Sequence, residues 1–127
     1  MPANLTILLV EDDEDTRYVM RLGLEQRGYR VIEAEDGEKG VELALSELAD
    51  VILMDLSLPG IDGLEATKRI RNDHRMRSVP VVAVTAHQET DFREGAKASG
   101  FDAYVTKPID FDWLGELLTG LLVLGKS

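Results

Sequence analysis

Short apolar runs alternate with helical patterns along the whole chain. Residues 5–10 (LTILLV) are almost wholly apolar and stop abruptly at Glu11-Asp12-Asp13. So short a run, apolar without alternation, predicts a strand covered on both faces. Residues 14–27 then follow a helical period. Thr16, Val19, Met20, Gly23 and Leu24 share one side, and Gly28 stops the helix. Residues 29–34 read as a second strand. Asp36 suits the N-cap of a helix whose inner face carries Val41, Ala44, Leu45 and Leu48. Residues 51–54 form a third apolar run, ended by Asp55.

Leu58-Pro59-Gly60 is a turn, since proline presets φ and glycine accepts a positive one. Asp62 with Glu65 fits a capping box that opens a helix to about Arg71. Residues 79–84, with Pro80 near the start, predict a fourth strand. Residues 88–99 predict a helix closed by Gly100. Residues 103–106 make a short fifth strand before Lys107-Pro108. Asp110 caps a last helix to about Leu124, with Gly125 just beyond. Five β-α units in strict alternation imply an α/β fold, a parallel sheet with helices on both faces. No repeat, low-complexity tract or linker interrupts the pattern, so residues 1–127 are expected to form one domain with no output domain.

Composition narrows the function. A 44% hydrophobic and 30% charged chain can build a core, which argues against disorder. With no cysteine there is no disulfide, thiolate metal site or thiol nucleophile, and a count of two histidines argues against a histidine-rich metal site. The net charge of −10 argues against a nucleic-acid face, which requires basic residues. The N-terminus lacks the basic region and long apolar run of a signal peptide, and no apolar stretch approaches a membrane span. A cytoplasmic domain is the expectation.

The polar strand ends carry the chemistry. In an open α/β sheet ligands bind at the carboxyl ends of the strands. There the pattern places Glu11, Asp12 and Asp13 after strand one, Asp55 after strand three, Thr85 after strand four and Lys107 after strand five. Strand two ends less distinctively, in Ala34-Glu35. Like charges about 4 Å apart repel by about 4 kcal/mol at an effective dielectric near 20, so clustered carboxylates call for a cation. Oxygen ligands without histidine or cysteine suit Mg²⁺. A metal, an ammonium and a hydroxyl together suit a transferring phosphoryl group, with a carboxylate as acceptor. Taken singly, each of these residues is more often a solvated loop residue or a cap, and Asp13 fits a first-turn acid favoured by the helix dipole. Their joint placement at four strand ends is the signal.

The segments ILLVEDD (7–13), VILMDLSLPGIDGLE (51–65), VVAVTA (81–86) and YVTKPI (104–109) together resemble the receiver domain of two-component response regulators, the CheY-like family. The resemblance spans roughly residues 5–124. It implies a flavodoxin-like, doubly wound (βα)5 fold with strand order 2-1-3-4-5. It implies that Asp55 accepts a phosphoryl group from a histidine kinase or a histidine phosphotransfer protein. Asp12 would bind Mg²⁺ directly, Glu11 mainly through water, and the Ser57 carbonyl would complete the protein's share of the shell. Thr85 and Lys107 would contact phosphoryl oxygens, Tyr104 would be the switch aromatic, and Lys107-Pro108 would be cis. Ser57 and His87, two residues beyond Asp55 and Thr85, would tune hydrolysis of the acyl phosphate. Glu11 departs from the commoner aspartate, and Ser57 with His87 departs from the fast-hydrolysing asparagine and glutamate pair. Such a protein is a signalling switch, with self-phosphorylating and autodephosphorylating activity, rather than an enzyme acting on a separate substrate.

Two surfaces stand out. Tyr18 and Leu22 lie i,i+4 on the first helix outside its core stripe; they are either ordinary exposed apolar residues or, by the resemblance, part of the surface that docks the kinase. The last helix has an inner stripe of Leu114, Leu117, Leu118 and Leu121, with Trp113 and Leu124 on its flank and Val123 on the far side. That extra apolar surface either serves a homodimer or downstream partner, through the fourth helix, fifth strand and last helix, or is covered by its neighbour. Rival functions fit less well. A haloacid-dehalogenase-type phosphohydrolase wants Asp-x-Asp-x-Thr/Val after strand one, and here Thr16 falls one place early, with no cap insertion. A flavin binder would have a Ser/Thr/Gly-rich phosphate loop where three acids stand. An interaction module with a dead pocket would not need Glu11, Asp12, Asp55, Thr85 and Lys107 all intact.

Overall fold

The computed structural model describes residues 5–85 and 100–125. Five strands, β1 (Thr6–Val10), β2 (Arg30–Ala34), β3 (Val51–Asp55), β4 (Val81–Thr85) and β5 (Ala103–Thr106), form one sheet in the order β2-β1-β3-β4-β5. Every pairing is parallel. The described helices are α1 (Glu14–Gln26), α2 (Gly37–Glu47), α3 (Gly63–Arg71) and α4 (Phe111–Gly125). The helix predicted over 88–99, and with it one side of the predicted dimer surface, lies outside the described residues.

Alternation along each strand builds two cores. Leu8, Val10, Ile52, Met54, Val81 and Ala83 face one way and meet Ala44 of α2 and Ala66 and Ile70 of α3. Ile7, Leu9, Leu53, Val82, Val84 and Val105 face the other way and meet Met20 and Leu24 of α1 and Leu114 and Leu118 of α4. β3 and β4 are buried at every position, which is why their sequences show no polar face. On the second face α1 and α4 pack closely, because a Cβ at Gly23 would lie 2.6 Å from the Phe111 ring.

The caps follow the sequence with instructive differences. Asp13, Asp36 and Asp62 accept from Thr16, Lys39 and Glu65 backbone N–H groups at 2.9, 2.8 and 2.9 Å. Asp110 accepts from the Trp113 N–H at 3.1 Å and so starts α4. The Asp62–Glu65 capping box is not reciprocal: the Glu65 carboxylate accepts from Arg69 Nε at 3.0 Å, its i+4 neighbour. The fourth strand begins at Val81 rather than at 79, because Val79 N–H turns back to Met76 O at 3.4 Å and Pro80 has no N–H. A single 3₁₀ turn, His74–Met76, precedes it, capped by Asp73.

Two residues predicted to face the core do not. Val19 is 58% exposed and Leu48 is 54% exposed. Val19 sits at the edge of the α1 stripe and lines a cleft. Leu48 is the left-handed C-cap of α2, with φ of 50°, so the helix has ended before its side chain reaches the core. The inner stripe of α4 holds as predicted, with Leu114 and Leu118 buried and Leu117 and Leu121 packed against them. The side chains of Val123 and Leu124 lie outside the description.

Candidate functional site

Parallel strands put every carboxyl end on one edge, and the register then decides which residues meet. Val10 pairs with Met54, so the next residues, Glu11 and Asp55, stand side by side. Asp55 pairs with Val84, which sets Thr85 at its flank. Thr85 pairs with Thr106, and Lys107 N–H donates to Thr85 O at 2.8 Å. Lys107-Pro108 is cis, as the resemblance implies.

The ammonium of Lys107 reaches back across the edge. Its Nζ lies 2.7 Å from Glu11 Oε1 and 3.3 Å from Asp55 Oδ2. Glu11 Oε2 accepts from the Asp13 N–H at 3.0 Å, and Asp55 Oδ1 accepts from the Ser57 N–H at 2.9 Å. Glu11, Asp55 and Thr85 are buried, whereas Asp12 and Ser57 are exposed at the mouth. Burial pushes the Glu11 carboxyl up, and the Asp55 charge adds to this, against the Lys107 and Asp13 hydrogen bonds that oppose it. Burial pulls Lys107 down, but the two carboxylates beside it outweigh this and leave its ammonium above the ordinary value. Asp13 stays out of the cluster: the Thr16 hydroxyl and N–H hold its carboxyl below the usual range. It is a cap, as its position suggested.

The donor set fits a hard divalent cation. Glu11, Asp12 and Asp55 each offer a carboxylate oxygen, all within 4.8 Å of one another. Mg²⁺ takes oxygen ligands at about 2.0–2.1 Å and keeps several waters. Glu11 Oε1 is fully buried, and the Lys107 ammonium lies beside it. Among the described residues one ammonium stands in a cluster of three carboxylates, so the site keeps the net negative charge that such an ion neutralises.

A parallel 2-1-3-4-5 sheet with an acidic cluster and a lysine at its carboxyl edge defines a class, and the comparisons agree with it. The response regulator receiver domain family model matches residues 7–119, and the chain belongs to that family. It is 38% identical over 117 residues to the protein PilH of Pseudomonas aeruginosa, covering 91% of this chain and 96% of PilH. It is 38% identical over 104 residues to the polar-differentiation response regulator DivK of Brucella anthropi, covering 82% of this chain and 85% of DivK. Among solved structures, the receiver domain of the sensor histidine kinase PA1611 of Pseudomonas aeruginosa superposes with a TM-score of 0.88 at 37% identity, covering 94% of this chain and 98% of that one. That structure holds a magnesium ion in its active-site cleft. Receiver domains of two-component systems accept a phosphoryl group on aspartate and bind Mg²⁺ in their acidic pocket, which here contains Glu11, Asp12 and Asp55.

Of the other predicted residues, Tyr104 is half-buried, lies on β5 opposite Ala83, and packs against the core on the α2–α3 side. Tyr18 and Trp113 are 54% and 49% exposed, and Leu22 is exposed beside Tyr18. His87 lies outside the described residues. Next to Lys107 a cleft of about 540 Å³ opens, lined by Val19 and Met20 of α1 and by Pro108, Ile109 and Phe111. Arg17, which the sequence reading passed over, donates from Nη1 to the Glu11 carbonyl at 2.9 Å. Among the described residues no helix is long and apolar enough to cross a membrane.

Proposed function

We propose that Asp55 is the phosphoryl acceptor of this receiver and that Thr85, Tyr104 and Lys107 convert its phosphorylation into a change of protein contacts. The observation that carries this is the buried Asp55 carboxylate, held by the Ser57 N–H and the Lys107 ammonium beside two further acids. A carboxylate oxygen of Asp55 forms a bond to the phosphorus of a phosphohistidine. The phosphorus–nitrogen bond breaks, and the imidazole leaves with the electron pair. Glu11, Asp12, Asp55 and the Ser57 carbonyl would hold Mg²⁺, which supplies charge stabilisation for the phosphoryl oxygens.

The protein's own groups then divide the work. Lys107 turns from the carboxylates toward a phosphoryl oxygen, a charge-assisted contact. The Thr85 hydroxyl follows another oxygen, and Tyr104, already half-buried, moves inward into the space Thr85 leaves. Ser57 is short and neutral, so with His87 it gives water little orientation, which favours a slowly decaying acyl phosphate. The donor is a sensor histidine kinase or a histidine phosphotransfer protein. It docks on the exposed Tyr18, Val19 and Leu22 of α1 and on the cleft beside Lys107, so that its histidine approaches the pocket mouth. A downstream target protein, or a second copy of the chain, engages the α4 flank at Trp113.

Incubation with acetyl phosphate and Mg²⁺ tests the acceptor. Intact mass should show one added phosphoryl group on the wild type and none on Asp55→Asn. Stoichiometric phosphorylation of Asp55→Asn would overturn the assignment.

A further inference from the structure

Glu11, Asp12 and Asp13 are three consecutive acids whose backbone must be held in place. Glu11 Oε2 accepts from the Asp13 N–H at 3.0 Å, and the loop is fastened at the main chain as well. Glu11 N–H donates to Ala34 O at 3.1 Å, so one side of the residue is fixed to the end of β2. On the other side the Glu11 carbonyl accepts from Arg17 Nη1 at 2.9 Å. Arg17 Nε donates to Glu33 Oε1 at 3.1 Å, and the other Glu33 oxygen lies 3.1 Å from Arg21 Nε. One planar guanidinium thus spans from the β1–α1 junction to the edge strand, a geometry that a single ammonium does not reproduce. The Arg17 side chain is mostly buried, which limits its freedom to leave this position.

We infer that Arg17 is a positioning residue for the cation site: by gripping the Glu11 carbonyl it fixes where the Glu11 and Asp12 carboxylates stand relative to Asp55. Among the described residues Arg17 makes no hydrogen bond or ion pair with either carboxylate, and its own charge is matched by Glu33. This inference rests on the proposal that Glu11, Asp12 and Asp55 hold Mg²⁺. It goes beyond it in assigning a role to a residue that contacts neither the ion nor the phosphoryl group.

Charge and position predict opposite signs here, which makes the test decisive. Arg17 is a cation near a cation site, so if only its charge mattered, removing it would strengthen Mg²⁺ binding. If it positions the loop, removing it weakens binding. The measurement is Mg²⁺ titration of the unphosphorylated chain, followed by calorimetry and by the amide resonances of Asp12, Asp13 and Ser57. Arg17→Met keeps the apolar stem and loses the donors; its Mg²⁺ dissociation constant should rise about tenfold. Arg17→Lys keeps the charge and loses the fork, and should fall between wild type and Arg17→Met; it serves alone if Arg17→Met does not fold. Unchanged or tighter Mg²⁺ binding in these variants overturns the inference. Asp12→Ala separates the two levels: if it abolishes binding while the Arg17 variants bind like wild type, the site stands and the positioning role falls. If the wild type and Asp12→Ala respond to Mg²⁺ alike, the site itself falls and takes this inference with it.

Discussion

Lys107 Nζ stands 2.7 Å from the buried Oε1 of Glu11, joining the last residue before the cis peptide to the first residue after β1. The contact ties the two halves of the sheet edge together across β3 and β4. Among the described residues it also makes Lys107 the ammonium shared between Glu11 and Asp55. Removing it leaves two buried carboxylates without that partner. Lys107→Ala should therefore lower unfolding stability by about 1–3 kcal/mol, the cost of stranding buried polar groups. Urea unfolding in the presence of a chelator measures this, and adding Glu11→Gln should recover part of the loss. Equal stability of Lys107→Ala and wild type would show that the pair contributes nothing net.

The Glu11 carboxyl carries a pH signature with a definite sign. Burial raises its value in the folded chain above the 4.5 of the unfolded one. The folded state therefore holds this proton more tightly. Its favourable contribution is complete below pH 4.5 and is lost as pH rises through the higher folded value. Glu11→Gln removes this dependence. Relative to wild type, the variant should gain stability as pH rises from about 4.5 toward neutrality, a window that opens at the ordinary carboxyl value and follows from the upward shift. Parallel stability profiles for the two proteins across that range would contradict it.

Cation binding should stabilise the fold. Because Mg²⁺ would bind the folded arrangement of Glu11, Asp12 and Asp55 and not the unfolded chain, saturation at 100 times the dissociation constant should add about 2.7 kcal/mol. The unfolding midpoint should rise with Mg²⁺ and stay flat in Asp12→Ala. A midpoint that is insensitive to millimolar Mg²⁺ in the wild type would count against the site.

At the opposite end of α3 a second carboxylate offers an independent check on the electrostatics. The Arg75 guanidinium and N–H hold Asp73 down to about 2. Its stabilising share is present above pH 3.8 and lost as pH falls through about 2. In an NMR titration Arg75→Ala should move the Asp73 midpoint upward, toward 3.8. An unmoved midpoint would assign the depression to something other than Arg75.

The site was legible in the chain because its determinants are those of a parallel sheet. Once five strands alternate with helices, Glu11, Asp55, Thr85 and Lys107 must share an edge, whatever the loops do. Arg17 was not legible, since its partner is the carbonyl of Glu11, an acceptor every residue has. Val19 shows a different limit. Helical period places it on the inner side of α1 but cannot tell a core from the wall of a cleft. Leu48 fails for a third reason, a left-handed cap that no glycine announced. The half-made capping box shows local competition, with Arg69 one turn along capturing the Glu65 carboxylate that the motif would have turned back.

Gly63 offers the sharpest test of how the fold shapes the pocket. It is the first residue of α3, and a Cβ added there would collide with the backbone carbonyl of Asp55 and lie 3.0 Å from Leu56 Cα. These are main-chain atoms at the end of β3, and Leu56 N–H is itself bonded to Val84 O at 3.0 Å. A side chain cannot swing away to make room, so relief requires α3 to withdraw or the Asp55 peptide to tilt. The Gly63 φ is not in the left-handed region, so the cost of Gly63→Ala is steric and not a matter of backbone conformation. Alanine otherwise favours a helix over glycine by about 1 kcal/mol, so helix propensity alone predicts a more stable protein. Overpacking against fixed backbone costs typically about 1–3 kcal/mol and should win. Gly63→Ala should thus be less stable than wild type. Because the displaced peptide carries the acceptor, its phosphorylation by acetyl phosphate should slow several-fold. The control is Gly115→Ala, where an added Cβ meets nothing within 4 Å and propensity should prevail. A stabilised Gly63→Ala with wild-type phosphorylation kinetics would show that the end of β3 yields freely, and that the approach of α3 does not set the position of Asp55.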